Sequence, residues 1–143
     1  MGLVRYDKRL KDIEFASDIA DLPNVRVSPD QVQQVFLNLI LNALDAMPKG
    51  GKLKVTMKAK GDYIEVRFED SGPGIDTAVI DKVFDPFFTT KPLGKGTGLG
   101  LSICYGIIRE HNGEISASSK PGGGAVFTIL FPIDDTKEPR RGE

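Results

Sequence analysis

The chain has 143 residues and a net charge of −1, with 40% hydrophobic and 27% charged residues. This length suits one domain that buries about two thirds of its unfolded surface, and the near-zero charge excludes broad electrostatic attraction to nucleic acid or to an acidic membrane surface. The single cysteine, Cys104, excludes a disulfide framework and a cysteine metal cluster.

No apolar stretch approaches the length of a membrane span, and the start of the chain lacks the apolar core of a signal peptide. We therefore expect this fragment in the cytoplasm, outside the membrane and monomeric by itself, although its parent protein could carry a membrane anchor. We expect one domain over residues 1–132 and a charged, unordered tail over residues 133–143.

Two short strands are predicted ahead of the first helix. Ile13 and Phe15 alternate with polar residues before Pro23, and Val25 and Val27 do so after it.

A long helix is predicted from Ser28 to Met47. Ser28 is a good N-cap, Pro29 suits the first helical turn, and Gln31 completes a capping box of the form S-x-x-Q. The residues that end the helix follow directly, and they are Pro48, Gly50 and Gly51.

A polar stripe runs along this otherwise apolar helix and consists of Gln34, Asn38, Asn42 and Asp45. Apolar residues occupy most of the remaining surface, so other elements are expected to cover it. The stripe could simply meet solvent, or it could line a cavity for a polar ligand. Two amides followed by a carboxylate at helical spacing would suit a hydrated cation that carries phosphates.

A β-hairpin is predicted next, with strands over residues 53–60 and 63–70 joined at Gly61 and Asp62. The inward-facing positions of its second strand are Ile64, Val66 and Phe68, and Asp70 shares their parity.

The carboxylate of Asp70 is therefore expected on the buried face. It could cap the turn that follows, or it could accept a hydrogen bond from the amine of a ligand in a cavity. Gly72 and Gly74 would let the backbone come close to that same ligand.

A short helix over residues 76–83 and a lid over residues 84–96 are predicted after this turn. Pro86 and Pro92 interrupt regular structure in the lid, and the neighbouring phenylalanines, Phe87 and Phe88, would be exposed unless the lid folds over something.

Another helix is predicted over residues 98–112, and Gly113 ends it. Glycines at positions 96, 98 and 100 lie at its N-terminus, where free N–H groups and the helix dipole favour a phosphate. His111 lies in its last turn, where the dipole favours a cation, so we expect a structural role for it. A second hairpin, with strands over residues 114–120 and 125–131, closes the domain.

Two common nucleotide-binding motifs are disfavoured. Leu101 replaces the last glycine of G-x-G-x-x-G, and neither Lys52 nor Lys95 has the glycine spacing and the following Ser or Thr of a Walker A motif.

Five motifs, in this order and spacing, resemble the N, G1, F, G2 and G3 boxes of the catalytic ATP-binding domain of sensor histidine kinases, in the GHKL superfamily. They are Asn38-x-x-x-Asn42-Ala, Asp70-Ser-Gly-Pro-Gly74, Phe84-Asp-Pro-Phe-Phe88, Gly96-Thr-Gly-Leu-Gly-Leu101 and the turn from Gly122 to Phe127. The resemblance covers about residues 10–132. It implies a two-layer α/β (α+β) sandwich, the Bergerat fold, in which a mixed, mostly antiparallel sheet carries about three helices on one face and ATP lies between the helices and the lid.

The resemblance also implies roles for individual residues. Asn42 would bind a magnesium ion that bridges the phosphates of ATP, Asn38 would help to hold the same assembly, and Asp70 would accept a hydrogen bond from the adenine amino group. Lys91, counted with Asn38 and Asn42 as catalytic, would contact a phosphate, or it could be an ordinary solvated loop lysine. The remaining implied ATP-binding residues are Asp45, Gly72, Gly74, Ile75, Phe87, Gly96, Thr97, Gly98, Leu99, Gly100 and Leu101.

The chain departs from the commonest kinase pattern at three positions. Asp45 and Ala46 stand where a basic residue and an aromatic residue often occur, so Lys91 or Lys95 could supply the missing charge and Asp45 could act through a metal-bound water. Ala125 stands where the G3 box usually has a hydroxyl.

The residue at position 38 separates activities within the superfamily. Related ATP-hydrolysing domains carry a glutamate there, whereas the amide of Asn38 is no base at neutral pH. The resemblance therefore implies transfer of the γ-phosphate to a histidine outside this chain, because His111 is the only histidine here. The expected partners are the dimerisation and histidine-phosphotransfer helices of the parent kinase and the receiver domain of a response regulator. Three alternatives stay open, namely a GHKL ATPase, an anti-sigma-type serine kinase and a module that only senses ATP.

Overall fold

A computed structural model describes residues 13–19, 27–47, 49–85, 100–120 and 123–133. Its strands are β1 (Ile13–Ile19), β2 (Gly51–Lys60), β3 (Tyr63–Asp70), β4 (Glu114–Ser119) and β5 (Ala125–Pro132). Its described helices are α1 (Pro29–Ala46), α2 (Gly100–Glu110) and a short 3-10 helix at Ile80–Lys82.

The five strands form one sheet in the order β1-β2-β3-β5-β4. β1 pairs with β2 in parallel, and the other three pairings are antiparallel. The predicted two-layer α/β sandwich with a mixed, mostly antiparallel sheet is confirmed. β3 lies in the middle of this sheet, so the residue at its end, Asp70, lies inside the fold rather than at an edge.

One hydrophobic core joins the helices to the inner face of the sheet. Its strand residues follow the predicted alternation, with Ile64, Val66 and Phe68 of β3 all buried. α1 contributes Val35, Leu39, Ile40, Ala43 and Leu44, and α2 contributes Cys104, Ile107 and Ile108. Burying a large aliphatic or aromatic side chain contributes about 1.5–3 kcal/mol, so this layer holds both helices on the sheet.

α1 begins as its sequence predicts. Ser28 is the N-cap, its hydroxyl accepts a hydrogen bond from the N–H of Gln31 at 3.5 Å, and Pro29 opens the helix. Because the first N–H groups of a helix have no partner within it, the cap fixes where α1 starts and which face its later residues present.

α1 and α2 lie antiparallel. Val35 and Cys104 meet in the middle, where the Cys104 thiol donates to the Val35 carbonyl at 3.8 Å. Further along α1, the Asn38 side chain contacts Gly100, the first described residue of α2. At the opposite end Ser28 contacts His111.

His111 connects the two helix ends through both nitrogens of its ring. The N–H of Ser28 donates to His111 Nε2 at 3.0 Å, and His111 Nδ1 lies 2.8 Å from the carbonyl oxygen of Ile107. Nε2 must therefore carry a lone pair while Nδ1 carries the proton. The role expected for His111 is structural, and the structure adds a contact that its own helix does not indicate, because the ring is the acceptor for the N-cap residue of α1.

We expect His111→Ala to lower the free energy of unfolding by about 1–3 kcal/mol, because the variant leaves the half-buried N–H of Ser28 without its acceptor. The edge-on contact of the ring with Phe131, at 6.4 Å between centroids, is lost as well. Urea unfolding followed by circular dichroism measures this change. Glu110→Ala, at an exposed neighbouring position, is the control, and an equal midpoint for the two variants would contradict the assigned role.

The predicted short helix over residues 76–83 is mostly wrong. Asp76 Oδ1 accepts from the N–H of Ala78 at 2.9 Å, and the segment continues with bonds between residues three apart, from Val79 to Asp76 and from Lys82 to Val79. Bonds between residues three apart close the tighter turns of a 3-10 helix, so the segment is a turn followed by three residues of 3-10 helix rather than an α-helix.

Parts of the sequence prediction lie outside the described residues, including most of the second N-terminal strand, the lid beyond residue 85 and residues 134–143. Val27 is described and precedes α1 without being in a strand. At the other end, the N–H of Ile133 donates to the carbonyl oxygen of Asp62 at 2.9 Å, so sheet contacts reach one residue beyond β5.

Candidate functional site

Asp70 ends the central strand and is 3% exposed. Its Oδ1 atom accepts two backbone hydrogen bonds, from the N–H of Gly72 at 2.8 Å and from the N–H of Ala125 at 3.1 Å. The first bond is the turn cap that the sequence allowed as one alternative. Within the described part of the chain both bonds go to Oδ1, which leaves Oδ2 as the atom that could accept from a ligand.

The loop after Asp70 packs tightly against two neighbouring elements. A Cβ added at Gly72 would lie 3.0 Å from the carbonyl oxygen of Ala46, at the end of α1. Gly74 has φ +86°, and a Cβ there would lie 3.1 Å from the carbonyl oxygen of Gly124. Glycine is favoured at both positions, by the close approach of neighbouring atoms at Gly72 and by the positive φ at Gly74.

One side of α1 faces the loop after Asp70 and carries part of the polar stripe. Asn38, Asn42 and Ala46 follow one another at four-residue spacing and so lie along one side of the helix. Asn38 reaches Gly100 at one end of this row, and Ala46 touches Gly72 at the other. Half-buried Asn42 lies between these two contacts.

The amide of Asn38 is oriented by α2. Its Nδ2 donates a long hydrogen bond to the carbonyl oxygen of Gly100 at 3.5 Å, and its side chain also hydrogen-bonds the thiol of Cys104. Because the NH₂ group faces α2, the amide oxygen is the atom that remains for a ligand. A carboxylate in this position would instead place a negative oxygen against the Gly100 carbonyl.

Cys104 is a packing residue beneath this amide. It is fully buried, and burial raises the pKa of its thiol from 9.0 to about 11, with the hydrogen bond from Asn38 acting in the opposite direction. The thiol therefore stays protonated at neutral pH and is no nucleophile.

Cys104 is expected to react with iodoacetamide at pH 8 at least about 100-fold more slowly in the folded chain than in urea, because a pKa raised by about two units leaves about 100-fold less thiolate. The chain has one cysteine, so mass spectrometry reports this site alone. The stabilising effect of the protonated thiol is present below pH 9.0 and is lost as the pH rises through about 11. Equal labelling rates in the two states would contradict the buried placement.

Gly100 is the first described residue of α2 and lies next to the Asn38 side chain. The first four N–H groups of a helix have no partner within it. Gly100 is exposed there and Leu101 is half-buried against the core. An anion could bind at such a helix end, where the dipole is favourable. The rest of the glycine-rich segment lies outside the described residues, as do the lid candidates, and these positions are Phe87, Lys91, Gly96, Thr97, Gly98 and Leu99.

Asp45 is exposed near the end of α1, and it takes part in an interaction of its own. The described residues contain no cluster of three or more His, Cys, Asp or Glu that could hold a metal ion.

Sequence reasoning missed two contacts that shape the site. Ser119 bonds the backbone of Ile75 across 44 positions, and the N–H of Ala125 bonds Asp70 across 55. Only the strand order, which places β5 between β3 and β4, brings these residues together.

Comparison of the sequence with known protein families and proteins gives matches over most or all of the chain. Residues 27–135 match the family described as histidine kinase-, DNA gyrase B- and HSP90-like ATPase. The chain is 38% identical to sporulation kinase E of Bacillus subtilis over 145 aligned positions, which cover 100% of this chain and 19% of that protein.

Solved structures give the same result. The nucleotide-free catalytic domain of histidine kinase ThkA superposes with a TM-score of 0.80 at 35% identity, over 92% of this chain and 86% of that domain. ThkA in complex with the response regulator protein TrrA superposes with a TM-score of 0.74 at 34% identity, over 96% of this chain and 39% of that one.

The chain therefore belongs to the family of histidine kinase-, DNA gyrase B- and HSP90-like ATPases. Within that family it is a catalytic ATP-binding domain of the histidine kinase type. It spans only about a fifth of the length of sporulation kinase E. Neither described α-helix has the length and hydropathy that crossing a bilayer requires.

Proposed function

We propose that this chain binds Mg-ATP and transfers its γ-phosphate to a histidine on a separate dimerisation domain of a two-component sensor kinase. The observation that carries the proposal is the amide of Asn38, which α2 orients through Gly100 in the position where the ATP-hydrolysing relatives have a glutamate. Such a site can hold and present ATP, but its amide cannot take a proton from water.

The adenine end of the site is assigned to Asp70 and the loop after it. Oδ1 of Asp70 is held by the N–H groups of Gly72 and Ala125, so Oδ2 would accept from the adenine amino group. The backbone of Gly74 and Ile75 would lie along the base. A hydrogen-bonding site of this kind discriminates strongly, because a ligand that lacks the amine leaves the buried carboxylate oxygen unpaired.

The phosphate end is assigned to α1 and the start of α2. Magnesium prefers oxygen ligands and keeps several waters, so few protein ligands are needed when phosphates supply others. The amide oxygens of Asn42 and Asn38 fit that requirement, with Asn42 as the direct ligand. When bound, the ion neutralises phosphate charge. The N–H groups of Gly100 and Leu101 would bind phosphate oxygens, together with the segment formed by Gly96, Thr97, Gly98 and Leu99.

Other implied contacts complete the site. Lys91 would supply a cation to the phosphates, and Phe87 would cover the nucleotide from the lid. Asp45, exposed near the end of α1, would act through water rather than as a direct ligand. Each of these roles follows from the family resemblance.

The reaction needs little covalent chemistry from this chain. A neutral imidazole nitrogen of the partner attacks the γ-phosphorus, the bond from that phosphorus to the bridging oxygen breaks, and ADP leaves with the electron pair. Residues of this chain hold the phosphates in line and exclude water, since positioning and charge neutralisation provide most of the acceleration in phosphoryl transfer.

Partners and surroundings follow from the same proposal. The phosphoacceptor would lie on the dimerisation helices of the parent kinase, and the phosphate would pass on to a response regulator receiver domain, in keeping with the ThkA complex with TrrA. The fragment would work in the cytoplasm and be monomeric by itself, with its domain ending near residue 132.

An assay with ATP labelled at the γ-phosphate tests this proposal, using the chain mixed with the histidine-bearing helix pair of its own parent kinase. We expect labelled protein that loses its phosphate in acid and survives in base, and no labelling when the acceptor histidine is replaced. Acid-stable phosphoserine would indicate a serine kinase, and steady-state release of phosphate without a labelled partner would indicate an ATPase. Binding of Mg-ATP with neither outcome would leave a module that only senses ATP.

A further inference from the structure

One hydroxyl holds both backbone groups of Ile75. Ser119 Oγ, at the end of β4, accepts from the N–H of Ile75 at 2.8 Å and donates to its carbonyl oxygen at 2.8 Å. A single side chain thereby fixes the conformation of a residue in a loop that has no regular secondary structure at that point.

The same loop is fixed at its other end. There, Asp70 Oδ1 accepts from the N–H of Ala125 at 3.1 Å, which connects the start of the loop to the start of β5. Between the two ends, a Cβ added at Gly74 would lie 3.1 Å from the carbonyl oxygen of Gly124 and 3.2 Å from Ser119 Oγ. The loop over residues 70–75 therefore lies directly against the turn between β4 and β5.

Ile75 is also the residue from which the chain leaves for the lid. Asp76 begins the turn that follows, and that segment reaches Phe84, whose ring lies 6.2 Å from Phe127 and 5.9 Å from Tyr105 between centroids. The segment after Ile75 is therefore held at Phe84 by ring contacts that do not involve Ser119.

We propose that Ser119 is a positioning residue of the ATP site. Its hydroxyl holds Ile75, and through it the backbone of Gly74, in the conformation that lies along the adenine. The proposal rests on the proposed function, because it assigns Ser119 to the base end of the same site.

We expect removal of the Ser119 hydroxyl to change the affinity for ATP more than the free energy of unfolding. Both hydrogen bonds lie in an exposed region, so water can replace the hydroxyl when it is removed. The loop would then be less ordered in the free chain. Part of the binding free energy of the nucleotide would be used to order it, and the affinity would fall. One lost hydrogen bond corresponds to about threefold to tenfold in an equilibrium constant, and we expect Ser119→Ala to weaken ATP binding by about that factor.

Titration calorimetry with two ligands distinguishes a loss of base positioning from a general loss of binding at the whole site. Mg-ATP and magnesium tripolyphosphate share their phosphates, but only ATP has the base. Ser119→Ala should weaken ATP binding and leave tripolyphosphate binding unchanged, and Ser119→Thr, which keeps the hydroxyl, should restore ATP binding. Ser118→Ala is the matched control, because Ser118 is exposed, adjacent in the same strand and directed to the opposite face of the sheet.

A second measurement needs no ligand. Amide hydrogen exchange in the free chain should speed up at Ile75 in Ser119→Ala and stay unchanged in Ser118→Ala. Unchanged ATP affinity in Ser119→Ala, or equal loss for ATP and tripolyphosphate, would overturn the positioning role. If the unaltered chain binds tripolyphosphate and ATP equally, or binds neither, the proposed function itself fails, and this is seen before any variant is made.

Discussion

Asp70→Asn is expected to weaken ATP binding by about 100-fold while the fold stays intact. The asparagine oxygen can still accept from the N–H groups of Gly72 and Ala125, as Oδ1 of the carboxylate does. In place of Oδ2 the variant presents an NH₂ group, which would meet the adenine amino group donor against donor. A lost hydrogen bond to a charged group together with an unpaired donor amounts to about 3 kcal/mol, which is about 100-fold in affinity.

Titration calorimetry measures this change, and circular dichroism checks the fold. Asp76→Asn is the matched control, because its side chain caps the neighbouring turn through Ala78 and asparagine can keep that bond. Asp70→Ala would be a poorer test, since it removes the acceptor of two backbone groups and would disturb the loop itself. Unchanged affinity in Asp70→Asn would contradict the adenine assignment.

Asn42→Ala is expected to lower phosphotransfer to the partner histidine by about 100-fold, the loss typical of removing one group that stabilises charge in a transition state. Its amide oxygen is the proposed protein ligand of magnesium, so the variant should also lose the metal dependence of nucleotide binding. The helix should tolerate the change, since alanine is the best helix former and the Asn42 side chain is only half-buried.

The measurement compares ATP affinity with magnesium and with a chelator, in the unaltered chain and in the variant. Magnesium should strengthen binding in the unaltered chain and have little effect in Asn42→Ala. Gln34→Ala is the control, because Gln34 belongs to the same stripe but is exposed and lies two turns away. Equal affinity with and without metal in the unaltered chain would exclude the proposed role of Asn42.

The residues that could be placed from the sequence lie on regular elements. Asp70 follows the period of two of its strand, and the structure buries it with Ile64, Val66 and Phe68. Asn38 and Asn42 follow the helical period, and the structure places both at half-buried positions beside the loop and α2. Periodicity fixes which face a residue occupies without any knowledge of the strand order.

The contacts that could not be placed depend on how elements far apart in the chain meet. Ser119 reaches Ile75 because β5 brings β4 toward the end of β3, and His111 reaches Ser28 because α2 runs antiparallel to α1. No local pattern marks either pair. The helix-dipole rule considers only the helix that carries His111, so it could not indicate the acceptor role of the ring toward Ser28.

The helix prediction for residues 76–83 was wrong for a local reason. Its composition allows a helix, but its backbone bonds join residues three apart, from Val79 to Asp76 and from Lys82 to Val79, and so form 3-10 turns instead. Helix propensity does not distinguish these turns from an α-helix.

In the proposed function, Asn42 and Asp70 serve one pocket and one ligand. Nuclear magnetic resonance of the labelled chain during titration with ATP and a small fraction of manganese tests it directly. We predict that the side-chain amide of Asn42 broadens from proximity to the metal, that the backbone amides of Gly72 and Gly74 shift, and that both changes follow one binding curve. If the Gly72 and Gly74 signals respond while Asn42 is untouched, or if the two ends titrate with different affinities, the claim is contradicted.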